Sequence, residues 1–350
     1  MRTVFVGATV TLLAVTCVAL PAQGEDGQPL VNPTDPQLSE MSGIAANPQS
    51  NSFWVHQDAG REPYIYLIND SGGTQVTVRP TATGLKIEDA EDIAIGPGDD
   101  SRPSLYLSDG GDAFAVRKAA GQSFRTEFQV IRMVLPTKEV QAAGGTIDAS
   151  AQVLPFEYPD GANRNSEAML VDPADGAMWM INKSPTASES DIWQLPNQGF
   201  GETEPVVATG VGAVGIREVS GGAADPFRRF VVLRDATKAY LYPVAEGQQF
   251  GDALAGSPTT IELPPQPQGE GVTVTNQGDA LVINSEKAGQ PFLSVSLPTA
   301  FIAQIPAAPV APVAEAPRSK VPLLLAAVTG AAGITVLIVG ARQGRRRRRV

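Results

Sequence analysis

One stretch of the sequence holds an unusual concentration of carboxylates. Between Leu85 and Phe114, thirty residues contain eight acidic side chains and only two cations, Lys86 and Arg102. Crowded like charges destabilise a fold unless water screens them or a cation binds between them. Oxygen ligands gathered at a site of low dielectric constant are what a hard cation such as Ca²⁺ requires. The stretch therefore suggests a calcium site, with a solvated acidic surface as the alternative.

These carboxylates occupy equivalent positions in a repeated unit. The segment that begins at Glu91 matches the one that begins at Glu167, because each has apolar residues two and four positions later and then a proline. Further copies begin at Ser42, Glu218 and Glu270, and the intervals between the five starts are 49, 76, 51 and 52 residues. Each first strand leads into a second strand that ends at or beside a polar residue. Several short strands per repeat of this length are typical of β-propeller blades.

A third strand is predicted in every repeat. The five predicted third strands begin at Tyr64, Ala113, Asp191, Lys238 and Phe292. Two more β-rich pieces, which start at Glu127 and Ala151, lie inside the long second interval and indicate either a half-blade or a decorated loop. No convincing amphipathic helix occurs between residues 38 and 300, which favours an all-β fold. The sequence thus predicts a β-propeller of five blades, with six as the alternative.

The repeat places polar residues at one face of the predicted disc. Antiparallel neighbours run in opposite directions, so an inner strand starts where the second strand ends. The residues predicted there form a ligand-binding rim: Asp58, Glu91, Asp92, Asp109, Glu167, Lys183, Arg234, Asp235, Glu270 and Glu286. The predicted calcium ligands among them are Glu91, Asp92, Asp109 and Glu167. No Asp-x-Asp-x-Asp-Gly loop is present, and turn-forming acidic residues at strand ends remain an equally open interpretation.

The two ends of the chain predict export and membrane anchoring. Residues 1–24 have the charged, apolar and small-residue regions of a signal peptide, and they contain the only cysteine. The exported chain therefore has no disulfide. Val321–Gly340 is a run of twenty uncharged residues, which is long enough to cross a bilayer, and six arginines follow it. Because basic residues mark the cytoplasmic side of a span, the domain before it is predicted to face outward.

The predicted organisation also fixes the charge of the exported domain. It comprises a signal peptide at 1–24, an ectodomain at 25–302, an Ala/Pro-rich stalk at 303–320, a transmembrane helix at 321–341 and an Arg-rich tail at 342–350. Without the single basic residue of the signal and the six of the tail, 19 basic and 37 acidic residues remain, a net charge of −18. Such a surface repels nucleic acid and favours cations or basic partners.

Common catalytic motifs are missing from the sequence. Neither Gly-x-Ser-x-Gly nor His-Glu-x-x-His occurs, which excludes the commonest hydrolase signatures. The only histidine, His56, lies two residues before Asp58 and fits a hydrogen-bonding role at the rim better than catalysis. The segment Gly210–Gly215 fits Gly-x-Gly-x-x-Gly, but no helical pattern follows it, so it is interpreted as a flexible loop.

Several segments resemble a known family, the exported β-propeller proteins of the phytase-like type, described by an "esterase-like activity of phytase". The resemblance rests on WVHQDAG, EDIAIGPG, LYLSDGGD, YPDGANRNSEAMLVDP and QGEGVTVTNQGDALVINSE, and it covers most of residues 38–298. It implies a propeller fold and, in the enzymatic relatives, calcium-assisted phosphoester hydrolysis. Ala90 and Ser166 stand where the family usually has tryptophan and aspartate, so this sequence departs from the family pattern beside the rim.

Two functions are consistent with these residues. The first is a cell-surface binding or recognition module that presents its acidic, calcium-binding rim to an extracellular ligand or protein. The second is a metal-assisted hydrolase of phosphoesters or related esters, in which the ion polarises the substrate and activates water. In the second, the metal ligands are Glu91, Asp92 and Asp109, and the anion-binding cations are Lys183, Arg217 or Arg234. A net charge of −18 attracts polyphosphates poorly, which favours the binding module.

Overall fold

The computed structural model describes residues 27–58, 64–112, 114–184 and 187–308. These segments contain twenty-one strands and four short helices. None of their helices has the length and apolar character that crossing a bilayer requires. The predicted signal peptide at 1–24, the transmembrane helix at 321–341, the tail at 342–350 and most of the stalk lie outside the described residues.

The strands form five four-stranded antiparallel units, called blades 1 to 5 below. Blades 1 and 2 comprise β2 (Met41–Ala46), β3 (Phe53–Gln57), β4 (Ile65–Ile68) and β5 (Thr74–Thr81), then β6 (Asp92–Pro97), β7 (Pro103–Asp109), β8 (Glu127–Val134) and β9 (Gly145–Glu157). Blades 3 and 4 comprise β10 (Ser166–Val171), β11 (Met178–Asn182), β12 (Ser190–Leu195) and β14 (Thr209–Val214), then β15 (Gly221–Ala224), β16 (Phe230–Arg234), β17 (Lys238–Pro243) and β18 (Thr259–Glu262).

Blade 5 joins the two ends of the described chain. It consists of β19 (Gly269–Val274), β20 (Ala280–Ser285), β21 (Phe292–Ser296) and the first strand of the described residues, β1 (Gln28–Val31). Because β1 pairs antiparallel with β21, backbone hydrogen bonds close the ring of blades. The remaining elements are β13 (Val206–Val207), α1 (Phe114–Ala119), α2 (Lys138–Ala143), α3 (Phe250–Leu254) and α4 (Thr299–Ile302).

The inner strands of the blades surround a central channel. Strand β2 contacts β6, β6 contacts β10, β10 contacts β15, β15 contacts β19, and β19 returns to β2. Radial repetition of four-stranded sheets around a channel is the β-propeller architecture. The all-β propeller predicted from the repeats is therefore confirmed, and four of the five predicted repeat starts, all except Glu218, lie at or directly beside the start of an inner strand.

Blade 2 differs from the sequence prediction in its outer half. The predicted third strand at Ala113 is wrong, because α1 follows that position and β8 is the third strand. A run of only four apolar residues is compatible with either a strand or a helix, whereas β8 is long enough to pair with β7 from Ser104 to Asp109. The pieces that start at Glu127 and Ala151 thus belong to β8 and β9 of one blade, and the described residues provide no strands for a sixth blade.

The thirteen-residue strand β9 explains the long second interval. Its first half, Gly145–Ser150, pairs in parallel with β5 at the outer edge of blade 1, and its second half pairs antiparallel with β8. Blades 1 and 2 consequently form one continuous hydrogen-bonded sheet. This crossing requires extra chain that the other blades do not need.

The hydrophobic core lies between neighbouring blades rather than in one central mass. Trp179 of blade 3 contacts Phe250 of α3 with ring centroids 5.0 Å apart, and Phe53 of blade 1 contacts Phe292 of blade 5 at 5.7 Å. Trp54 of blade 1 and Trp179 are fully buried. Packing between blades fixes the positions of the inner strands, and these strands carry the candidate site.

Candidate functional site

Five equivalent residues surround one mouth of the channel, where the inner strands start. We call them the mouth ring: Ser42, Glu91, Glu167, Ser220 and Glu270. In four of the five blades a proline follows the ring residue after six positions, which fixes the equivalence. Serine hydroxyls connect neighbouring members, because Ser42 Oγ donates to the Glu91 carbonyl at 2.6 Å and Ser220 Oγ donates to the Glu270 carbonyl at 3.0 Å.

The structure corrects the sequence prediction for blade 4. Ser220, not Glu218, is the ring residue, and Glu218 lies two positions earlier. The Glu218 side chain is 48% exposed and pairs with Arg217 at 3.2 Å. This shift of two residues is hard to detect in the sequence. Glu218 resembles the ring glutamates of other blades, and β15, which is short and rich in glycine and alanine, provides little apolar pattern to align. The mouth ring therefore has three carboxylates rather than four.

A second set of equivalent residues lies just beyond the ends of the second strands. The backbone N–H groups of Asp58, Lys183 and Glu286 each donate to the carbonyl two residues before the ring residue of their blade. In blade 2 the same position is Gly111, whose N–H donates to the Asp89 carbonyl. A Cβ at Gly111 would overlap Oε1 of Glu91 and lie 2.8 Å from Oδ2 of Asp89. Glycine at this position thus leaves the space that these two carboxylates occupy.

Three carboxylates meet at the blade 1–blade 2 side of the mouth. One oxygen from each of Asp58, Asp89 and Glu91 lies within 4.8 Å of the others, and we call this group the acidic triad. Asp89 and Glu91 are buried. Burial, together with the charges of Glu167, Asp58 and Asp89, raises the pKa of Glu91 well above its ordinary value. The triad supplies the oxygen ligands and the negative charge that a hard divalent cation prefers.

A lysine already lies among the remaining mouth carboxylates. Lys183 Nζ is 3.2 Å from Glu167 Oε1, and the amide of Asn165 donates to the same oxygen at 2.6 Å. Burial acts against the charge of Lys183, but the nearby charges of Glu167, Glu270 and Glu91 raise its pKa overall. Burial raises the pKa of Glu167 even with this cation beside it. Lys183 therefore neutralises part of the negative charge of the mouth ring.

Two further carboxylates at the mouth are shifted towards neutral pH. Burial, and then the charges of Glu167 and Glu286, raise the pKa of Glu270 to about 7, against the opposing effect of Lys183. Burial and the charges of Glu40 and Asp58 raise the pKa of Glu286 to about 7. Oε2 of Glu270 is buried and accepts no hydrogen bond from the described residues. The mouth thus holds more negative charge than its own cations balance.

Asp92 lies deeper in the channel, away from the triad. Its Oδ1 accepts from the Ile93 N–H at 2.8 Å, and its Oδ2 accepts from the N–H groups of Met169 at 2.8 Å and Gly222 at 3.3 Å. The side chain is completely buried, which raises the pKa of Asp92 well above its ordinary value although the three N–H donors oppose this. Asp92 was predicted as a metal ligand, but the structure makes it the acceptor that connects three inner strands.

Asp109 is not one of the triad carboxylates, although it contacts the backbone of Asp89. Its carboxylate accepts from Arg125 Nη1 at 2.9 Å and from the Asp89 N–H at 2.8 Å, and it is fully buried. Arg125 in turn donates to the Gly111 carbonyl at 2.8 Å. A buried aspartate paired with arginine and backbone donors is a structural ion pair. Asp109, a predicted calcium ligand, therefore supports the loop that carries Gly111 and does not belong to the triad with Glu91.

These contacts account for the eight carboxylates between Leu85 and Phe114. Five of the eight pair with arginines within 4.0 Å, and the pairs are Glu88–Arg117, Asp99–Arg132, Asp100–Arg102, Asp109–Arg125 and Asp112–Arg117. Asp92 binds backbone N–H groups, and Asp89 and Glu91 belong to the triad. Asp89 was not predicted as a ligand, although its position two residues before Glu91 could have indicated it.

The predicted rim residues of blade 4 have structural contacts. Arg234 is fully buried and donates to the carbonyls of Asp235 at 3.0 Å and Gly271 at 3.1 Å, among others. Burial lowers the pKa of Arg234 to about 10. Asp235 closes the following turn, where it accepts from the Thr237 N–H and the Tyr240 hydroxyl. Neither residue presents a free charge to the mouth.

His56 is held as a neutral hydrogen-bonding residue. Its Nε2 accepts from the Gly43 N–H at 3.0 Å, and its Nδ1 lies 3.1 Å from the Gln57 carbonyl. Burial lowers the pKa of His56, with smaller opposing effects from its neighbours. The acceptor role of Nε2 leaves Nδ1 as the protonated nitrogen. His56 therefore packs β2 against β3, as expected of a histidine that positions the rim.

No protein-family model and no curated protein sequence matches the chain. Among solved structures, it is similar to the PQQ-bound aldose sugar dehydrogenase of Streptomyces coelicolor, with 13% identity, a TM-score of 0.42, and coverage of 77% of this chain and 96% of that one. A gluconolactonase from Xanthomonas campestris has 12% identity, a TM-score of 0.41, and coverage of 75% and 88%. A chain of a nidogen/laminin complex has 14% identity, a TM-score of 0.40, and coverage of 70% and 72%. Likeness at this level says nothing about activity.

Proposed function

We propose that this protein is a binding module whose acidic channel mouth takes up a calcium ion. The observation that carries the proposal is the acidic triad, in which oxygens of Asp58, Asp89 and Glu91 approach within 4.8 Å of one another. Two of the three residues are buried, where repulsion between carboxylates is strongest. A divalent cation removes this repulsion and supplies an attachment point for an oxygen-rich ligand at the mouth.

Calcium suits the triad better than magnesium does. Ca²⁺ accepts six to eight oxygen ligands in irregular arrangements, whereas Mg²⁺ requires a near-octahedral set and retains its water. The triad combines Asp58, directly after β3 of blade 1, with Asp89 and Glu91, just before β6 of blade 2, which is an irregular set. The resemblance of this sequence to phytase-like propellers supports the same choice of ion.

The hydrolase alternative has less support from the residues at the mouth. It needs free cations to bind the substrate anion, and Lys183 and Arg234 were two of the three candidates. Lys183 pairs with Glu167, and Arg234 is buried among carbonyls. The third candidate, Arg217, pairs with Glu218, and its side chain is 59% exposed. A binding role requires none of these cations to be free.

Membrane attachment remains part of the proposal. It rests on the uncharged run Val321–Gly340 and on the arginines that follow it. With the preceding Ala/Pro-rich segment as a spacer, the propeller stands outside the cell and offers its mouth to an extracellular partner. The protein would therefore contact the bilayer through this C-terminal span. Nucleic acid is not expected to bind an acidic domain.

Thermal melting of the full-length protein in chelator, CaCl₂ and MgCl₂ tests the proposal. At a hundredfold excess over Kd, calcium should stabilise the fold by about 2.7 kcal/mol, which raises Tm by several degrees. Magnesium should raise it less. The variant Glu91→Gln should lose most of the calcium shift, whereas Glu218→Gln, the same change at an exposed position outside the ring, should retain it. Equal melting in all three solutions would refute calcium binding at the mouth.

A further inference from the structure

The opposite end of the channel contains a cavity that is unrelated to the acidic mouth. It has a volume of about 280 Å³ and opens to solvent at this end. The second halves of all five inner strands contribute to its wall. The lining residues include Ile44 and Ala46 of blade 1, Ile93 and Ile95 of blade 2, and Gly222 and Ala224 of blade 4. An engineered apolar cavity of about 150 Å³ binds benzene, so this one is large enough for a ring with a substituent.

A collar of equivalent residues forms the outer edge of this cavity. Pro48, Pro97, Pro173 and Pro226 each follow a mouth-ring residue by six positions, and Asn276 takes that position in blade 5. Asn276 Nδ2 donates to the Asn47 carbonyl of blade 1 at 2.8 Å. Proline has a fixed φ and no side-chain rotamers, so the collar loses little conformational freedom when a ligand binds.

Asp92 lies between the cavity and the acidic mouth, and it is not one of the residues that line the cavity. The N–H groups of Met169 and Gly222 donate to the Asp92 carboxylate, and these hydrogen bonds connect blades 3 and 4 to blade 2 across the channel. Gly222 and its blade 2 counterpart Ile93 are also the deepest cavity residues of their strands. Asp92 therefore separates the cavity from the acidic triad, and the two ends of the channel present different chemistry.

Peptide groups of the inner strands point into the cavity. On an antiparallel edge strand, alternate residues direct their N–H and C=O away from the neighbouring strand. The N–H groups of Ile93, Met169 and Gly222 point inward, because Asp92 accepts them. Ile95 and Val171 follow Ile93 and Met169 by two positions, so the same alternation directs their peptide groups inward. Both residues line the cavity. The wall thus combines apolar side chains with peptide donors and acceptors.

We propose that this cavity binds an uncharged small molecule that has an apolar ring-sized body and a hydrogen-bonding edge. Among the described residues, its lining includes no charged side chain. A charged ligand would lose its hydration there without a compensating ion pair, which costs far more than burying a neutral polar group that finds a peptide partner. Volume, rigidity and inward peptide groups suit a neutral amide, lactam or similar heterocycle. This inference does not depend on calcium binding at the mouth.

Three probes of the same shape but different charge test the inference. The full-length protein is labelled at isoleucine methyl groups and titrated with benzamide, benzoate and benzamidinium, while NMR follows Ile44, Ile93 and Ile95. Benzamide should give saturable shifts at these methyl groups, and the two ions should give none at the same concentrations. Shifts of equal size with benzoate or benzamidinium, or no shift with benzamide up to its solubility limit, would overturn the proposal.

Cavity-filling variants complete the test. Ala46→Leu and Ala224→Leu add side-chain volume at two different blades that line the cavity, and each should weaken benzamide binding at least tenfold. Glu218→Gln should bind benzamide like the unchanged protein, since Glu218 lies outside the cavity lining. Thermal melting confirms that each variant is folded. Folded variants of both alanines that bind benzamide with unchanged affinity would place the ligand elsewhere and refute the assignment.

Discussion

The mouth of the channel should limit the stability of the propeller at neutral pH, and Glu270 is the clearest place to measure this effect. Glu270 is buried, its Oε2 has no hydrogen-bond donor among the described residues, and its pKa is raised to about 7 from an ordinary value of 4.5. Lys183 offsets only part of the cost of its charge. Replacing Glu270 with glutamine keeps the shape of the side chain and removes the charge.

The size of the effect follows from the two pKa values. Below pH 4.5 the carboxyl is protonated in both the folded and the unfolded chain, so its titration costs nothing. Between pH 4.5 and about 7 the unfolded chain releases the proton and the fold retains it, so the free energy of unfolding falls as pH rises. At about 1.4 kcal/mol per pH unit the loss is at most ~3 kcal/mol and is complete above pH 7. The variant Glu270→Gln should avoid this loss.

Urea unfolding in chelator at pH 5 and pH 8 measures the prediction. Glu270→Gln should match the unchanged protein at pH 5 within about 1 kcal/mol and exceed its free energy of unfolding at pH 8 by up to ~3 kcal/mol. Glu218→Gln, at an exposed site, should change stability by less than about 0.5 kcal/mol at both pH values. If Glu270→Gln is less stable at pH 8, or if its difference from the unchanged protein is the same at both pH values, the charge of Glu270 is better compensated than the structure indicates.

Three further predictions concern the channel and the chain ends. Gly111→Ala should lower calcium affinity at least tenfold in calorimetric titration, because its Cβ would overlap Glu91, whereas Gly215→Ala, with open space around it, should not. Asp92→Ala should lower the free energy of unfolding by about 2–4 kcal/mol, since buried N–H groups lose their acceptor, and Asp92→Asn should lose less; equal losses would contradict this role. Protease added to intact cells should remove the ectodomain and leave a fragment that contains Val321–Gly340, and full protection would refute the outward orientation.

The architecture could be predicted from the sequence because it depends on local patterns. Alternating apolar residues, turn residues and a repeated Glu-to-Pro unit determine strands and blades whatever their distant partners are. The outer part of blade 2 could not be predicted, because the short apolar run at Ala113 is ambiguous and pairing with β7 selects β8 instead. The parallel pairing of β9 with β5 likewise depends on a neighbouring blade and has no signal in the sequence of either strand.

The sequence by itself determined which residue types would gather at the channel mouth, but only the tertiary structure decided the partner of each carboxylate. Glu91 and Asp92 are adjacent in the chain, yet Glu91 joins the acidic triad whereas Asp92 accepts N–H groups of three inner strands. Asp109 pairs with Arg125 through a loop whose path no periodicity indicates, and Ser220 replaces Glu218 in the ring through a shift of two residues. Contacts of this kind depend on distances between blades, and packing sets those distances to within an ångström, which a linear pattern of residue types does not specify.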